Sequence, residues 1–199
     1  VKDNVPAELR QQLVLGLGNP GERYARTRHN VGFRVIEELA RRRDLRLGKL
    51  ECNAVIAADP AVMLAQPQTY MNRSGYALRC LAERHGFEAA DVLVVYDEVA
   101  LPLGKLRLRV QGSPGGHRGM ESVIENLRTD EVSRLRCGIA MGGLAGEEAE
   151  DDLDLVAFVL ADFTAEEESE VEEMIRRAAD ACEAWLADGA TAAMNRFNG

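Results

Sequence analysis

Three histidines, His29, His85 and His117, are the side chains of this 199-residue chain whose ordinary pKa suits them to move a proton at neutral pH. His29 sits in a polar loop just ahead of a segment with helical apolar spacing, and His117 sits in the glycine-rich stretch Gln-Gly-Ser-Pro-Gly-Gly-His-Arg-Gly. His85 closes an amphipathic helical segment, where a surface or capping role is expected. The apolar run Val-Leu-Val-Val-Tyr ends on two carboxylates, Asp97 and Glu98, and the ends of buried strands are where α/β sheets place functional groups. Arg107 and Arg109 alternate with Leu106 and Leu108, as Arg134 and Arg136 alternate with Leu135, so two strands each present a basic face suited to phosphate. A solvated strand face is the plainer reading of both.

Two other chemistries can be weighed from spacing. Gly16, Gly18 and Gly21 satisfy the Gly-x-Gly-x-x-Gly pattern of dinucleotide-binding folds directly after a strand. In that fold the helix begins inside the motif so that its N-terminus meets the pyrophosphate, whereas here Pro20 and the polar residues up to His29 postpone the helix by about ten residues. No acidic residue ends a second strand at the required distance, since Glu37 and Glu38 fall within a helical segment. The four cysteines, Cys52, Cys80, Cys137 and Cys182, include no Cys-x-x-Cys pair and read as reduced, mostly buried thiols rather than a zinc site or a disulfide framework.

The elements that must position these residues alternate in type. A short apolar strand from about residue 12 ends near Gly18, and Val31, Phe33, Val35, Ile36, Leu39 and Ala40 then share one helical face that runs into Arg41, Arg42 and Arg43, a cluster suited to a helix C-terminus. Two strands flanking Asp59 and Pro60 read as a hairpin, followed by a loop and a helix from about Gly75 to His85. After the strand ending at Asp97 come the basic strand, the glycine loop, a helix from Met120 and a further strand through Arg134 and Arg136. Residues 157–163 fit either strand or buried helix. Thr164 is a suitable N-cap for a long helix reaching Trp185, which Gly189 would end. The pattern predicts an α/β fold: one domain over residues 12–199, a mixed sheet with helices on both faces, after a disordered leader at 1–11.

The formal charge is −9, which by itself opposes a nucleic-acid partner. Its distribution reverses that conclusion. Residues 147–180 hold 14 of the 33 acidic residues and only Arg176 and Arg177 of the 24 basic ones, so that segment carries −12 and the remainder +3. A solvated helix face accounts for the acidic stretch. No apolar run reaches the roughly 18 residues needed to span a bilayer, and the first residues lack the apolar centre of a secretory signal, so a cytoplasmic protein is expected.

Several motifs in order resemble the bacterial-type peptidyl-tRNA hydrolases: Gly-Leu-Gly-Asn-Pro-Gly-x-x-Tyr-x-x-Thr-Arg-His-Asn-x-Gly at 16–32, Pro-x-Thr-Tyr-Met-Asn-x-Ser-Gly at 67–75, and Asp-Glu-x-x-Leu-Pro-x-Gly at 97–104. Gly-Gly-His-Arg-Gly at 115–119, Arg-Leu-Arg-Cys-Gly-Ile at 134–139 and Trp-x-x-Asp-Gly at 185–189 continue the series, so the likeness runs from Leu13 to Asn195. It implies a twisted mixed sheet surrounded by helices and hydrolysis of the ester joining a peptide to the terminal ribose of tRNA, with no metal and no cofactor. The resemblance assigns the base to His29, which activates water, and its orientation to Asp97. It further implies that Asn19 and Asn72 hold the ester and peptide backbone, that Met71 and Tyr24 line the peptide channel, and that Arg109 and Arg136 clamp tRNA phosphate.

One position departs from the pattern: Arg118 follows Gly-Gly-His where the family commonly has Asn. Arginine keeps donors, loses the acceptor and adds charge, so it is expected to contact tRNA. Peptidyl-tRNA is the expected partner, with no membrane, no obligatory protein partner and a monomeric state. The other reading is a non-hydrolytic RNA-binding relative, because chloroplast splicing factors resemble this family; the presence of His29 and Asp97 weighs against it.

Overall fold

A computed structural model describes residues 10–140 and 152–198, with side chains from 155 onward in the second stretch. The expected leader therefore lies largely outside the described residues, as does the start of the acidic segment. Within them Gln11 already donates to the carbonyl of Asp59.

The strands are β1 (Gln12–Gly16), β2 (Lys49–Glu51), β3 (Ala54–Ala58), β4 (Val62–Pro67), β5 (Val92–Pro102), β6 (Leu106–Arg109) and β7 (Ser133–Ala140). The helices are α1 (Val31–Arg42), α2 (Ser74–His85), α3 (Arg118–Leu127), α4 (Asp152–Val159) and α5 (Glu168–Phe197). One seven-stranded sheet runs in the order β2-β3-β4-β1-β5-β7-β6. Its centre, β4-β1-β5-β7, is parallel, and antiparallel strands close both edges. Successive residues of a strand point to opposite faces, so a sheet covered on both sides needs continuous apolar runs. Accordingly Val14, Leu93 and Val95 pack with α1 and α5, while Leu13, Leu15, Val92, Val94 and Tyr96 pack with α2 and α3. The mixed sheet and two helical layers are those the sequence predicts.

Glycine spacing near the first strand has a packing cause. A Cβ on Gly32 would lie 2.4 Å from the carbonyl oxygen of Val95 and 2.5 Å from the amide of Leu17. One on Gly16 would lie 2.3 Å from the carbonyl oxygen of Gly32. The first turn of α1 thus presses against the end of β1 and the Val95 carbonyl of β5, two residues before Asp97, which brings the loop before α1 beside Asp97. Gly16 serves helix-to-strand contact rather than a pyrophosphate.

Two expectations change. Cys52 and Cys80 are joined in a disulfide, with Cα atoms 5.6 Å apart, whereas Cys137 and Cys182 are free and buried. Cys52 and Asn53 form the two-residue turn between β2 and β3, both at positive φ, and this turn meets α2; linear spacing gives no sign of that approach. Arg134 is not on a solvated face: it is 2% exposed and donates to the carbonyls of Val132, Gly112, Ser113 and Asp130. Burial holds its pKa below the ordinary arginine value, and the four carbonyls compensate its lost hydration. Residues 157–163, ambiguous in sequence, give the end of α4 and the loop after it. Thr164 and Glu167 exchange hydrogen bonds in the turn leading into α5, and α5 breaks its helical geometry at Gly189, with φ 80°. Among the described residues no helix is long and apolar enough to cross a membrane.

Candidate active site

His29 lies in a 3₁₀ turn, Arg28–Asn30, that enters α1. Asn30 holds the turn from behind: its Oδ1 accepts from the amide of Asn19 at 2.9 Å and its Nδ2 donates to the carbonyl of Asn19 at 3.0 Å. Asp97 projects from β5 where that strand runs beside β7, and its carboxylate is buried. The Nδ1 of His29 lies 2.9 Å from Oδ1 and 2.9 Å from Oδ2 of Asp97.

A second histidine shares that carboxylate. The Nε2 of His117 lies 3.0 Å from Oδ1 of Asp97, and its Nδ1 accepts from the amide of Met120 at 3.1 Å, capping α3. An amide N–H can only donate, so Nδ1 of His117 is unprotonated and its proton sits on Nε2, toward Asp97. By the same logic the ionised Asp97 draws the proton of His29 onto Nδ1, leaving Nε2 as the free lone pair. The two imidazoles are therefore not equivalent: both nitrogens of His117 are engaged by protein, and His29 has one left for an external partner. The Tyr96 ring packs 4.6 Å from that of His117, and burial pushes its phenol up to about 12, so it stays neutral beside the pair.

Electrostatics follow from the same contacts. Burial alone pulls His29 down, but the charge and hydrogen bond of Asp97 together outweigh it, and the pKa sits above 6.5. Burial pushes Asp97 up, yet its two histidine partners more than reverse this, and it remains a carboxylate. Nitrogen and oxygen atoms of His29, Asp97 and His117 fall within 4.8 Å of one another, a spacing that could hold a metal ion. Coordination at Nε2 of His117 would move its proton to Nδ1, against the amide of Met120, so the tautomers are set for hydrogen bonding rather than for ligation.

A cavity of about 320 Å³ opens over the cluster. His29, Asp97, His117 and Arg118 form its polar side, Gly115 and Gly116 its rim, and Leu155, Val156 and Val159 of α4 an apolar wall. A base with one free nitrogen, an orienting carboxylate and an apolar-walled cleft are the parts needed to activate water against an ester.

The family model described as peptidyl-tRNA hydrolase matches residues 13–199. A peptidyl-tRNA hydrolase of Chloroflexus aggregans is 47% identical over 191 residues, covering 94% of this chain and 98% of that one. That of Roseiflexus castenholzii is 49% identical, covering 94% of this chain and 86% of that one. The crystal structure of peptidyl-tRNA hydrolase from Acinetobacter baumannii superposes with a TM-score of 0.85 at 29% identity, covering 95% of each chain. This chain belongs to the peptidyl-tRNA hydrolase family.

The remaining residues that resemblance to peptidyl-tRNA hydrolases singles out fall in three places. Asn19 is buried beside the His29 turn, and its Oδ1 accepts from the amide of Met71 at 2.8 Å, which fixes the orientation of its side-chain amide. Met71 is buried, and a Cβ on Gly119 would lie 2.4 Å from its sulfur, so it wedges the start of α2 against the start of α3. Asn72 follows it and is exposed; neither asparagine lines the 320 Å³ cavity. Tyr24 is half-buried beneath the guanidinium of Arg23, whose carbon lies 4.4 Å from the ring centroid, and it too stands outside that cavity.

Arg109 and Arg136 line a second cavity of about 220 Å³ together with Arg134 and the glycine loop. Arg109 is exposed, whereas Arg136 is paired with Glu98, its Nε 2.7 Å from Oε2. Glu98 and Gly115 line both cavities, so the two adjoin. The sequence places His117 in the glycine-rich loop and assigns it no role. Its position one residue before α3 and three before Met120 is an N-cap signal, although histidine is not among the usual capping residues.

Proposed function

We propose that His29 is the general base of this peptidyl-tRNA hydrolase. The chain hydrolyses the ester between a peptide's C-terminal carbonyl and the terminal ribose of tRNA, freeing both. Nε2 of His29 takes a proton from water as the oxygen attacks the ester carbonyl. Asp97, bonded to Nδ1, fixes the tautomer and stabilises the imidazolium that forms. The tetrahedral intermediate collapses as that imidazolium returns its proton to the departing ribose oxygen, leaving free tRNA and a peptide carboxylic acid that releases its proton to solvent as it ionises. The observation that carries this reading is the forked His29–Asp97 contact with one imidazole nitrogen left for solvent.

Around this pair, Asn19 offers its Nδ2 to the substrate's oxygen and Asn72 offers its amide to the peptide backbone, while Met71 and Tyr24 shape the approach of the peptide. Arg109 and Arg136 take tRNA phosphate in the adjoining cavity, with Arg118 as a further contact between the two. This reading takes the chain as a single domain over residues 12–199, acting as a monomer in the cytoplasm without an obligatory protein partner. A non-hydrolytic RNA-binding module would have no need of a buried carboxylate orienting an open imidazole.

Release of peptide from purified peptidyl-tRNA tests the proposal. His29→Ala is expected to remove the activity without loss of tRNA binding, and full activity in that variant would overturn the assignment.

A further inference from the structure

Arg28, the residue before the proposed base, is a buried arginine whose partners all come from one distant segment. It is 4% exposed. Its Nη1 donates to the carbonyl of Asp162 at 2.7 Å and its Nη2 to the carboxylate of Glu167 at 2.8 Å. Its own amide donates to the carbonyl of Ala161 at 3.0 Å, and Thr27 forms an antiparallel bridge with Asp162. The guanidinium carbon lies 4.6 Å from the ring centroid of Phe158 and 5.1 Å from that of Phe163. Glu167 also accepts from the amide of Thr164 at 2.7 Å, so its carboxylate gathers the turn before α5 into the same knot.

This knot joins the two sides of the cleft. Arg28 is adjacent to His29 in the 3₁₀ turn, while Phe158 belongs to α4, whose Leu155, Val156 and Val159 form the apolar wall of the cavity. Removing two charges from water costs about as much as their attraction returns, so a buried ion pair is a poor source of stability; it is a good source of fixed geometry. The arrangement also requires a planar fork. An ammonium cannot reach a carbonyl and a carboxylate from one plane while lying between two aromatic rings.

We propose that Arg28 is a positioning residue for the hydrolysis, seating α4 against the His29 turn so that the apolar wall of the cavity and the base that activates water are held in one register. The proposal rests on His29 being the base. Arg28 is buried and does not line the cavity, and its effect passes through the placement of α4.

Arg28→Lys is the direct test, with kcat, KM, affinity for deacylated tRNA and thermal midpoint measured on the same preparation. A misplacement of about 1 Å can cost on the order of a hundred-fold in rate, and a loss of that order is expected in kcat, with tRNA affinity unchanged because phosphate is held at Arg109 and Arg136. Glu167→Gln, which keeps the volume and removes the charge, should lose activity in the same sense and carries the test if Arg28→Lys does not fold. The double variant should be no worse than the more impaired single one, since the pair acts as a unit. Folded variants with unchanged kcat, or a loss matched by an equal loss of tRNA affinity, would overturn the proposal. If His29→Ala were active while Arg28→Lys was impaired, the base assignment would fail and the seating of α4 would survive.

Discussion

The Nδ1 of His29 lies 2.9 Å from each carboxylate oxygen of Asp97, so the imidazole is held by both oxygens of one carboxylate. Such a fork fixes ring orientation as well as tautomer, and it couples the basicity of His29 to a buried charge. Because Asp97 raises the pKa of His29 against the opposing pull of burial, the base is fully available only above that raised value. The rate constant kcat/KM should therefore fall as pH drops through a midpoint above 6.5. Asp97→Asn removes the charge and leaves burial alone, so the midpoint should move below 6.5 while the rate falls by roughly 10⁴-fold, the loss seen when an orienting aspartate is neutralised in a serine-protease triad. A pH–rate profile of both proteins checks the sign; a midpoint moving upward would contradict the coupling.

His117 competes with His29 for the same oxygen, since its Nε2 lies 3.0 Å from Oδ1 of Asp97. Removing that donor leaves the carboxylate less compensated and strengthens its pull on His29. His117→Asn should shift the acid limb of kcat/KM to higher pH. Asparagine is a good N-cap, so its side chain can still accept from the amide of Met120, and the thermal midpoint should change little. His117→Ala should show the same pH shift and, in addition, lose about 1 kcal/mol from the missing cap. An unshifted profile in His117→Asn would mean that Asp97 does not sense this histidine.

Much of this site was legible before the fold was known, but only where local pattern carries the information. The apolar start of β5 and the helix after His29 are visible in the sequence, although β5 runs on past the expected end at Asp97 to Pro102, and Gly16 and Gly32 allow the close approach of α1 to the sheet. Arg134 was misread because strand alternation assigns it a face without saying that the glycine loop covers that face and supplies carbonyls to it. β2 escaped notice because three residues cannot display a period, and its Leu50 is exposed. The Cys52–Cys80 bond and the partners of Arg28 depend on contacts across 28 and more than 130 residues, and no local signal encodes them.

Arg136 is already neutralised by Glu98, whose carboxylate lies 2.6 Å from Nη2, while Arg109 beside it is exposed. A phosphate entering this cavity must compete with that carboxylate. Glu98→Gln should therefore tighten binding of deacylated tRNA, since glutamine retains an oxygen for the amide of Ala100 but no longer holds the guanidinium by charge. Arg109→Ala should weaken binding and reduce the slope of log K against log salt by about one, the signature of one lost phosphate contact. Filter binding across a salt series distinguishes the two, and weaker binding in Glu98→Gln would show that Arg136 needs its partner to be placed.

The disulfide between Cys52 and Cys80 ties the β2–β3 turn to α2 across 28 residues. Closing a loop of that length removes unfolded-state entropy equivalent to about 3 to 4 kcal/mol. The double variant Cys52→Ser, Cys80→Ser should lose stability of that order in urea unfolding, and reductant should lower the native protein toward it without affecting the variant. Thiol titration of the oxidised, denatured protein should find two free thiols, those of Cys137 and Cys182. Four would show that the pair remains reduced.

Asn19 separates positioning from chemistry most sharply, because its amide has two different ends. Oδ1 accepts from the amide of Met71 at 2.8 Å, and Nδ2 is the end proposed to meet substrate. Asn19→Asp preserves the first contact, since a carboxylate oxygen accepts from the same amide, and replaces the donor with a second acceptor. If Nδ2 donates to the oxygen on which charge develops, the variant should fold with an undiminished thermal midpoint and lose on the order of 10² to 10³ in kcat, the cost of removing one such donor. Asn19→Ala would lose both ends, so its fall in activity should be accompanied by lower stability, as the amide of Met71 would then be buried without an acceptor. Equal activity in Asn19→Asp and the native protein would confine Asn19 to holding the start of α2, and the donor to the substrate would have to be another residue.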